Sequence, residues 1–208
     1  MILGNTACYA YTEIQSKNIN LNALEKAWNQ LIQQHEMLHT SINEDMTQNI
    51  LKKIPYYKIE QNDISHLNKK DIETYLQTQR KNKLSKVLNP KQWPLILIDA
   101  YVLPNKEIRV CIYLDMLICD ASSMFILLKD LKYLYMNTNE KLPALQISFK
   151  DYLAYEQNYI RTEEYKKSLD YWKKRLDTLP QGPDLALAVN PESIKTPKFS
   201  RHSFTLAS

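Results

Sequence analysis

Residues 108–135 read IRVCIYLDMLICDASSMFILLKDLKYLY, and the change of pattern inside this stretch decides the fold class. From Ile108 to Leu114 the chain is mostly apolar, β-branched or aromatic, without Pro or Gly, and this composition predicts a strand. The run stops at Asp115. From Ser122 to about Met136 the apolar residues take up helical spacing, with Phe125, Leu128, Leu131 and Tyr135 expected on one side. Ser123 stands where a hydroxyl caps a helix or bonds the preceding loop.

The same alternation of element types extends in both directions. Upstream, Trp93-Pro94-Leu95 opens an expected strand to about Leu103, and Pro104-Asn105-Lys106 is a turn. Residues 69–84 are polar, with Ile72, Tyr75 and Leu76 as the apolar side of an exposed helix. Residues 6–14, TACYAYTEI, predict a strand. Asn20 suits a helix N-cap, and Leu21, Leu24, Trp28, Leu31, Ile32 and Leu38 form the stripe that follows. Short strands near Ser41–Ile42 and Gln48–Leu51 flank Asn43-Glu44-Asp45, and Pro55 precedes a stretch at Tyr57–Glu60. Downstream, helices are expected near 149–160 and 163–177, the second carrying Tyr165, Leu169, Trp172 and Leu176. Pro180, Pro183, Pro191 and Pro197 mark a loop-rich exit, followed by a strand at Arg201–Leu206. Strands interleaved with helices argue for an α/β class.

Composition narrows the chemistry. The 208 residues are 44% hydrophobic and 24% charged, as in a soluble globular domain. There are two glycines, Gly4 and Gly182. Neither G-x-x-x-x-G-K nor G-x-G-x-x-G can be written with them, so nucleotide binding through such loops is excluded. Cys8, Cys111 and Cys119 form no C-x-x-C pair, and His35, His39, His66 and His202 no H-E-x-x-H, so neither a disulfide framework nor a zinc site is suggested. The net charge of +4 is dispersed among acidic residues, which argues against a nucleic-acid partner. Charged or amide residues interrupt every candidate membrane span, and the first residues lack the basic-then-apolar pattern of a signal peptide. The expected location is cytoplasmic.

Asp115, Asp120 and Ser123 together write D-x-x-x-x-D-x-x-S, the signature of heterocyclization domains of nonribosomal peptide synthetases, where ordinary condensation domains carry H-H-x-x-x-D-G. Other segments agree in order and spacing: YAYTEIQ, LEKAWNQLIQQHEMLHTSI, QNILKKIPYYKIE, WPLILIDAYVL, FKDYLAYEQNY and YWKKRLDTLPQGPDLAL. The chain thus resembles the N-terminal lobe of a heterocyclization domain in the condensation superfamily. It departs at Gln34 and His39, which replace the arginines of R-H-x-M-L-R, and at Met46, which replaces a turn glycine.

The resemblance implies a chloramphenicol-acetyltransferase-like lobe, a mixed sheet flanked by helices. Residues 1–208 would form the N-terminal subdomain, with the family's first helix and its C-terminal lobe outside this sequence. The implied reaction condenses an acyl thioester with carrier-bound Cys, Ser or Thr and then cyclodehydrates the product to thiazoline or oxazoline, as in siderophore synthesis. No cofactor would bind directly, since substrates arrive on phosphopantetheine arms. The partners would be peptidyl or aryl carrier domains, an adenylation domain and the second lobe.

In this frame Asp115, Asp120 and Ser123 are the catalytic candidates that the motif implies. Asp115 would end a strand facing the substrate tunnel between the two lobes and orient the attacking amine, or else simply bond nearby amides. Asp120 corresponds to a buried, salt-bridged Asp whose partner is the Arg replaced here by His39, so a His39–Asp120 hydrogen bond is expected. Ser123 would take part in catalysis, or else bond the loop or cap the helix. Cys119 reads as a packed thiol, His35 as structural, Trp28, Trp93 and Trp172 as core, and Arg80–Lys86 as a solvated face. A noncatalytic carrier-docking module and a coenzyme A-dependent acyltransferase of the same fold are the alternatives.

Overall fold

The structure, a computed structural model, describes residues 8–182, 186–190 and 193–194. The described residues divide into two compact units, one up to residue 153 and one from residue 154 onward.

The first unit is built on a four-stranded mixed sheet. Its strands are β1 (Tyr9–Ser16), β4 (Glu60–Asp63), β5 (Ile96–Val102) and β6 (Ile108–Asp115), in the order β1-β6-β5-β4. Only the β4–β5 pair is parallel. The hairpin of β2 (Thr40–Ile42) and β3 (Gln48–Ile50) stands apart from it. Met46 in its turn has φ 65, the left-handed region that glycine occupies without strain; this is the position read as a turn glycine in the family.

Three helices complete the unit: α1 (Leu21–Gln34), α2 (Lys69–Ser85) and α3 (Ala121–Met136). Helix α1 starts at Asn20, whose Oδ1 accepts from Ala23 N at 3.1 Å. Because β-strand side chains alternate between faces, each strand of the sheet reads two ways. One face carries Val110, Ile112 and Leu114 of β6 with Ile96, Ile98 and Ala100 of β5, all buried in one core with Ala27, Trp28, Leu31, Leu127, Leu131 and Leu134 of α1 and α3. The other face carries Cys111, Tyr113 and Tyr101, which share a second core with Leu76 of α2.

The stretch at residues 57–59 joins no sheet: Tyr57 N donates to Asn29 Oδ1 (2.7 Å) and Ile59 N to Glu25 Oε2 (2.9 Å), so side chains of α1 take the amides a ladder would use. Two expectations shift. The buried stripe of α3 is Leu127, Leu131 and Leu134, while Phe125 is 76% exposed. Apolar residues surround most of α3, so spacing alone admits more than one stripe; packing on α1 selects this one. Trp28 is buried and Trp93 packs at the core edge, but Trp172 is 57% exposed.

The second unit contains α5 (Glu163–Arg175); α4 (Phe149–Tyr159) crosses the division. Thr162 caps α5 through Tyr165 N, with Glu163 and Glu164 in its first turn and Lys173, Lys174 and Arg175 in its last. That polarity complements the helix dipole. The expected strand at Arg201–Leu206 lies outside the described residues.

Candidate functional site at the end of β6

Asp115 is the last residue of β6, as expected, and its backbone is held from three sides. Its amide donates to Leu95 O (3.1 Å), the next amide, Met116, donates to Cys8 O (2.9 Å), and its own carbonyl accepts from Ile118 N (3.0 Å). The side chain is 8% exposed, and Oδ1 accepts from Leu117 N at 3.0 Å. Burial raises its pKa above the ordinary aspartate range, and the single amide hydrogen bond only partly opposes this.

Asp120 differs in every respect from the buried, salt-bridged residue that was expected. It is exposed and is the N-cap of α3, with Oδ1 accepting from both Ser123 N and Ser123 Oγ at 2.7 Å. These bonds lower its pKa. A solvated carboxylate at a helix N-terminus is stabilised by water and by the helix dipole and needs no counter-cation. His39 accordingly does not bond it. His39 is buried, and its Nδ1 lies 3.0 Å from Leu51 O. Ser123 is not itself the cap: its amide and hydroxyl both donate to Asp120, which caps the helix.

The structure therefore joins Asp120 to Ser123 and leaves Asp115 in a separate, drier setting. Ser123 also lines a cavity of about 430 Å³ with His35, Met37, Leu38, Ile118 and Leu127. His35 pairs through Nε2 with Asp130 Oδ2 at 2.9 Å and ties α1 to α3. Gln34, at one of the missing arginines, donates from Nε2 to Pro143 O at 2.7 Å. Cys119 is a buried thiol donating to Asp115 O at 3.7 Å, and burial pushes its pKa up to about 11. A thiol so protonated at neutral pH is a poor nucleophile.

Sequence reading missed the ionisable set beneath α2. Arg80 and Lys83 are not on a solvated face. Arg80 Nε donates to Glu13 Oε1 (2.6 Å) and Tyr11 Oη (3.1 Å), and Lys83 Nζ pairs with Asp99 Oδ1 at 2.8 Å. The available signal was the period-two order Tyr9, Tyr11, Glu13 in β1, facing cations three apart in α2. Among the described residues no group of His, Cys, Asp and Glu is placed to hold a metal ion, and no helix is long and apolar enough to cross a membrane.

The model of the condensation-domain family matches residues 5–208. Bacitracin synthase 1 of Bacillus licheniformis is 33% identical over 201 residues, which are 97% of this chain and 4% of that protein. Pyochelin synthetase PchE of Pseudomonas aeruginosa is 30% identical over 206 residues, 99% of this chain and 14% of that protein. Among solved structures, the EpoB cyclization-docking bidomain of Sorangium cellulosum superposes with a TM-score of 0.81 at 27% identity, covering 89% of this chain and 37% of that one. The chain thus spans a small part of the synthetases it matches, and its mixed sheet with flanking helices is the chloramphenicol-acetyltransferase-like lobe of this family. A match across almost the whole sequence, together with the strand–Asp115–helix arrangement, makes this chain a member of the condensation-domain family of nonribosomal peptide synthetases, corresponding to its N-terminal portion.

Proposed function

We propose that this chain is the donor-side lobe of a heterocyclization domain, acting with a second lobe on acyl groups carried by phosphopantetheine arms of carrier domains. The observation that supports this most is Asp115 at the strand end with Asp120 and Ser123 following at the start of α3, where ordinary condensation domains carry histidines. The similarity to a cyclization-docking bidomain points the same way. In this reading the amine of carrier-bound Cys, Ser or Thr attacks the acyl thioester; the C–S bond breaks, the donor carrier's phosphopantetheine thiol leaves with the amine's proton, and an amide forms. The side-chain thiol or hydroxyl then adds to the amide carbonyl, and the former carbonyl oxygen leaves as water.

Asp115 is the group we assign to the amine. A carboxylate of ordinary pKa is too weak a base to hold an ammonium proton at neutral pH. Burial raises that of Asp115, which narrows the gap. The rigid backbone around it supports orientation of the nucleophile, and positioning of this kind contributes several kcal/mol to such reactions. Asp120 and Ser123 act together by fixing the start of α3 and one wall of the adjoining cavity.

The test is mass spectrometry of carrier-bound product with a matching second lobe supplied. A product lighter than the linear amide by one water is expected. The linear amide alone would instead indicate an ordinary condensation activity. No acyl transfer at all, with both carriers loaded, would favour a noncatalytic docking role, a reading to which Asp120, exposed and without an ion-pair partner among the described residues, lends weight.

A further inference from the structure

Tyr9 lies directly opposite Asp115 in the antiparallel β1–β6 register. Directly opposed residues project from the same face of a sheet, so the phenol and the carboxylate share the α2 side. Two contacts hold the phenol there. Its ring meets that of Tyr113 edge to face at 6.2 Å, and its hydroxyl donates to the carbonyl of Lys86, the C-cap of α2. The preceding carbonyl, Cys8, accepts from Met116 N, so β1 grips the strand end on both sides of Asp115.

We propose that Tyr9 is a positioning residue for Asp115, a phenol anchored on the end of α2 that covers the carboxylate and keeps water from it. This rests on the reading of Asp115 as the group that handles the amine. The ionisable groups near Asp115 are few. Tyr9 comes from β1 and Cys119 from the turn before α3, and both are raised in pKa in part by the charge of Asp115. From β5 the neighbour is the carbonyl of Leu95, and α2 reaches the site through the carbonyl of Lys86, whose side chain is exposed. No cation is within ion-pair distance of Asp115 among the described residues. Exclusion of water is thus the main influence on its proton, and Tyr9, directly opposite on β1, is placed to contribute to it together with the buried Leu95, Ile118 and Cys119 at the strand end.

The experiment is a titration of the Asp115 carboxyl carbon by NMR in the 208-residue chain. Tyr9→Ser is expected to bring the midpoint down toward the ordinary aspartate value, and Tyr9→Phe to keep most of the elevation, since the ring remains. An unchanged midpoint in a folded Tyr9→Ser chain overturns the proposal. A second measurement needs no Tyr9 variant: in the native chain the Tyr9 ring carbon bearing the hydroxyl should shift with the Asp115 midpoint, and that step should vanish in Asp115→Asn. Its absence from the native chain also overturns the proposal. Product formation with the second lobe supplied separates this failure from failure of the functional reading. If Asp115→Asn leaves the product unchanged, Asp115 does not handle the amine, whatever the titration shows. If Asp115→Asn abolishes the product while Tyr9→Ser changes neither the midpoint nor the pH–rate profile, the functional reading stands and the role of Tyr9 falls.

Discussion

The two faces of one sheet in this protein are built by different rules. Beneath α1 and α3 the sheet presents Val110, Ile112, Leu114, Ile96 and Ile98, and the layer closes mainly on apolar contact, with the His35–Asp130 pair at its edge. Beneath α2 the same strands present Tyr9, Tyr11, Glu13, Cys111, Tyr113, Asp99 and Tyr101, and the layer closes through ion pairs and phenols. Asp115 is the last residue of β6 on this second face. A carboxylate at the end of the apolar face would have been surrounded by aliphatic groups. Asp115 has Tyr9 opposite it on the α2 side and the Leu117 amide on its carboxylate, while Leu95, Ile118 and Cys119, bonded to its backbone, belong to the apolar core. The comparison suggests that the first face supplies stability and the second supplies an environment for ionisable groups.

The largest effect should come from the apolar face. Trp28 is 2% exposed and central to that core, so Trp28→Ala should cost about 3–5 kcal/mol through lost transfer energy and the cavity left behind. Urea unfolding followed by circular dichroism measures it. A loss under 1 kcal/mol would break the distinction between the faces.

On the polar face, Lys83→Met should strand Asp99, which is 1% exposed. Removing one partner of a buried pair costs about 3 kcal/mol or more, whereas replacing both by apolar groups is close to neutral. Lys83→Met with Asp99→Leu should therefore recover most of the loss. Burial already raises the pKa of Asp99, so the penalty of the single variant should be full at neutral pH and shrink as Asp99 is protonated at lower pH. A double variant no better than the single one would show that the pair, rather than burial of the layer, holds α2.

Asp115 gives a sharper pH test of the same face. Its folded pKa lies above the unfolded one, so the native state binds the proton more tightly. The native state should then lose stability as pH rises from the unfolded value, about 3.9, through the folded one. Asp115→Asn keeps an acceptor for Leu117 N and carries no charge. It should raise the thermal midpoint at pH 7 and remove that decline, while abolishing ring formation when the second lobe is present. A lower midpoint at pH 7 would contradict the assignment of burial as the dominant influence.

The smallest effect is expected at Asp120, which caps α3 in solvent. Its folded pKa is lowered, so its contribution is present above the unfolded value and lost as pH falls through the folded one. Asp120→Ala should lower the thermal midpoint slightly at neutral pH and leave it unchanged in acid. A loss as large as that at Trp28 would restore the buried, paired role that the sequence suggested.

Much of the fold was legible before any coordinates. Asn20 before a 3.6-residue stripe, and an apolar run stopping at Asp115 before a second stripe, set the start of α1 and the bounds of β6 and α3 nearly to the residue, because caps and periodicity are local properties of the chain; α1 itself ends at Gln34, four residues short of the end of the expected stripe. The motif residues were legible in the same way, as spacing. Their surroundings were not. Whether Asp120 is buried depends on how α3 lies against the rest of the unit. Whether Arg80 and Lys83 meet solvent or the sheet depends on where α2 lands. That Tyr9 lies opposite Asp115 depends on the pairing of two strands about a hundred residues apart in sequence. Local pattern was enough for most of the elements, for the family and for picking out Asp115, Asp120 and Ser123 as candidates. Only the tertiary structure decided which carboxylate is dry and which is wet, because desolvation is set by neighbours that lie far away along the chain.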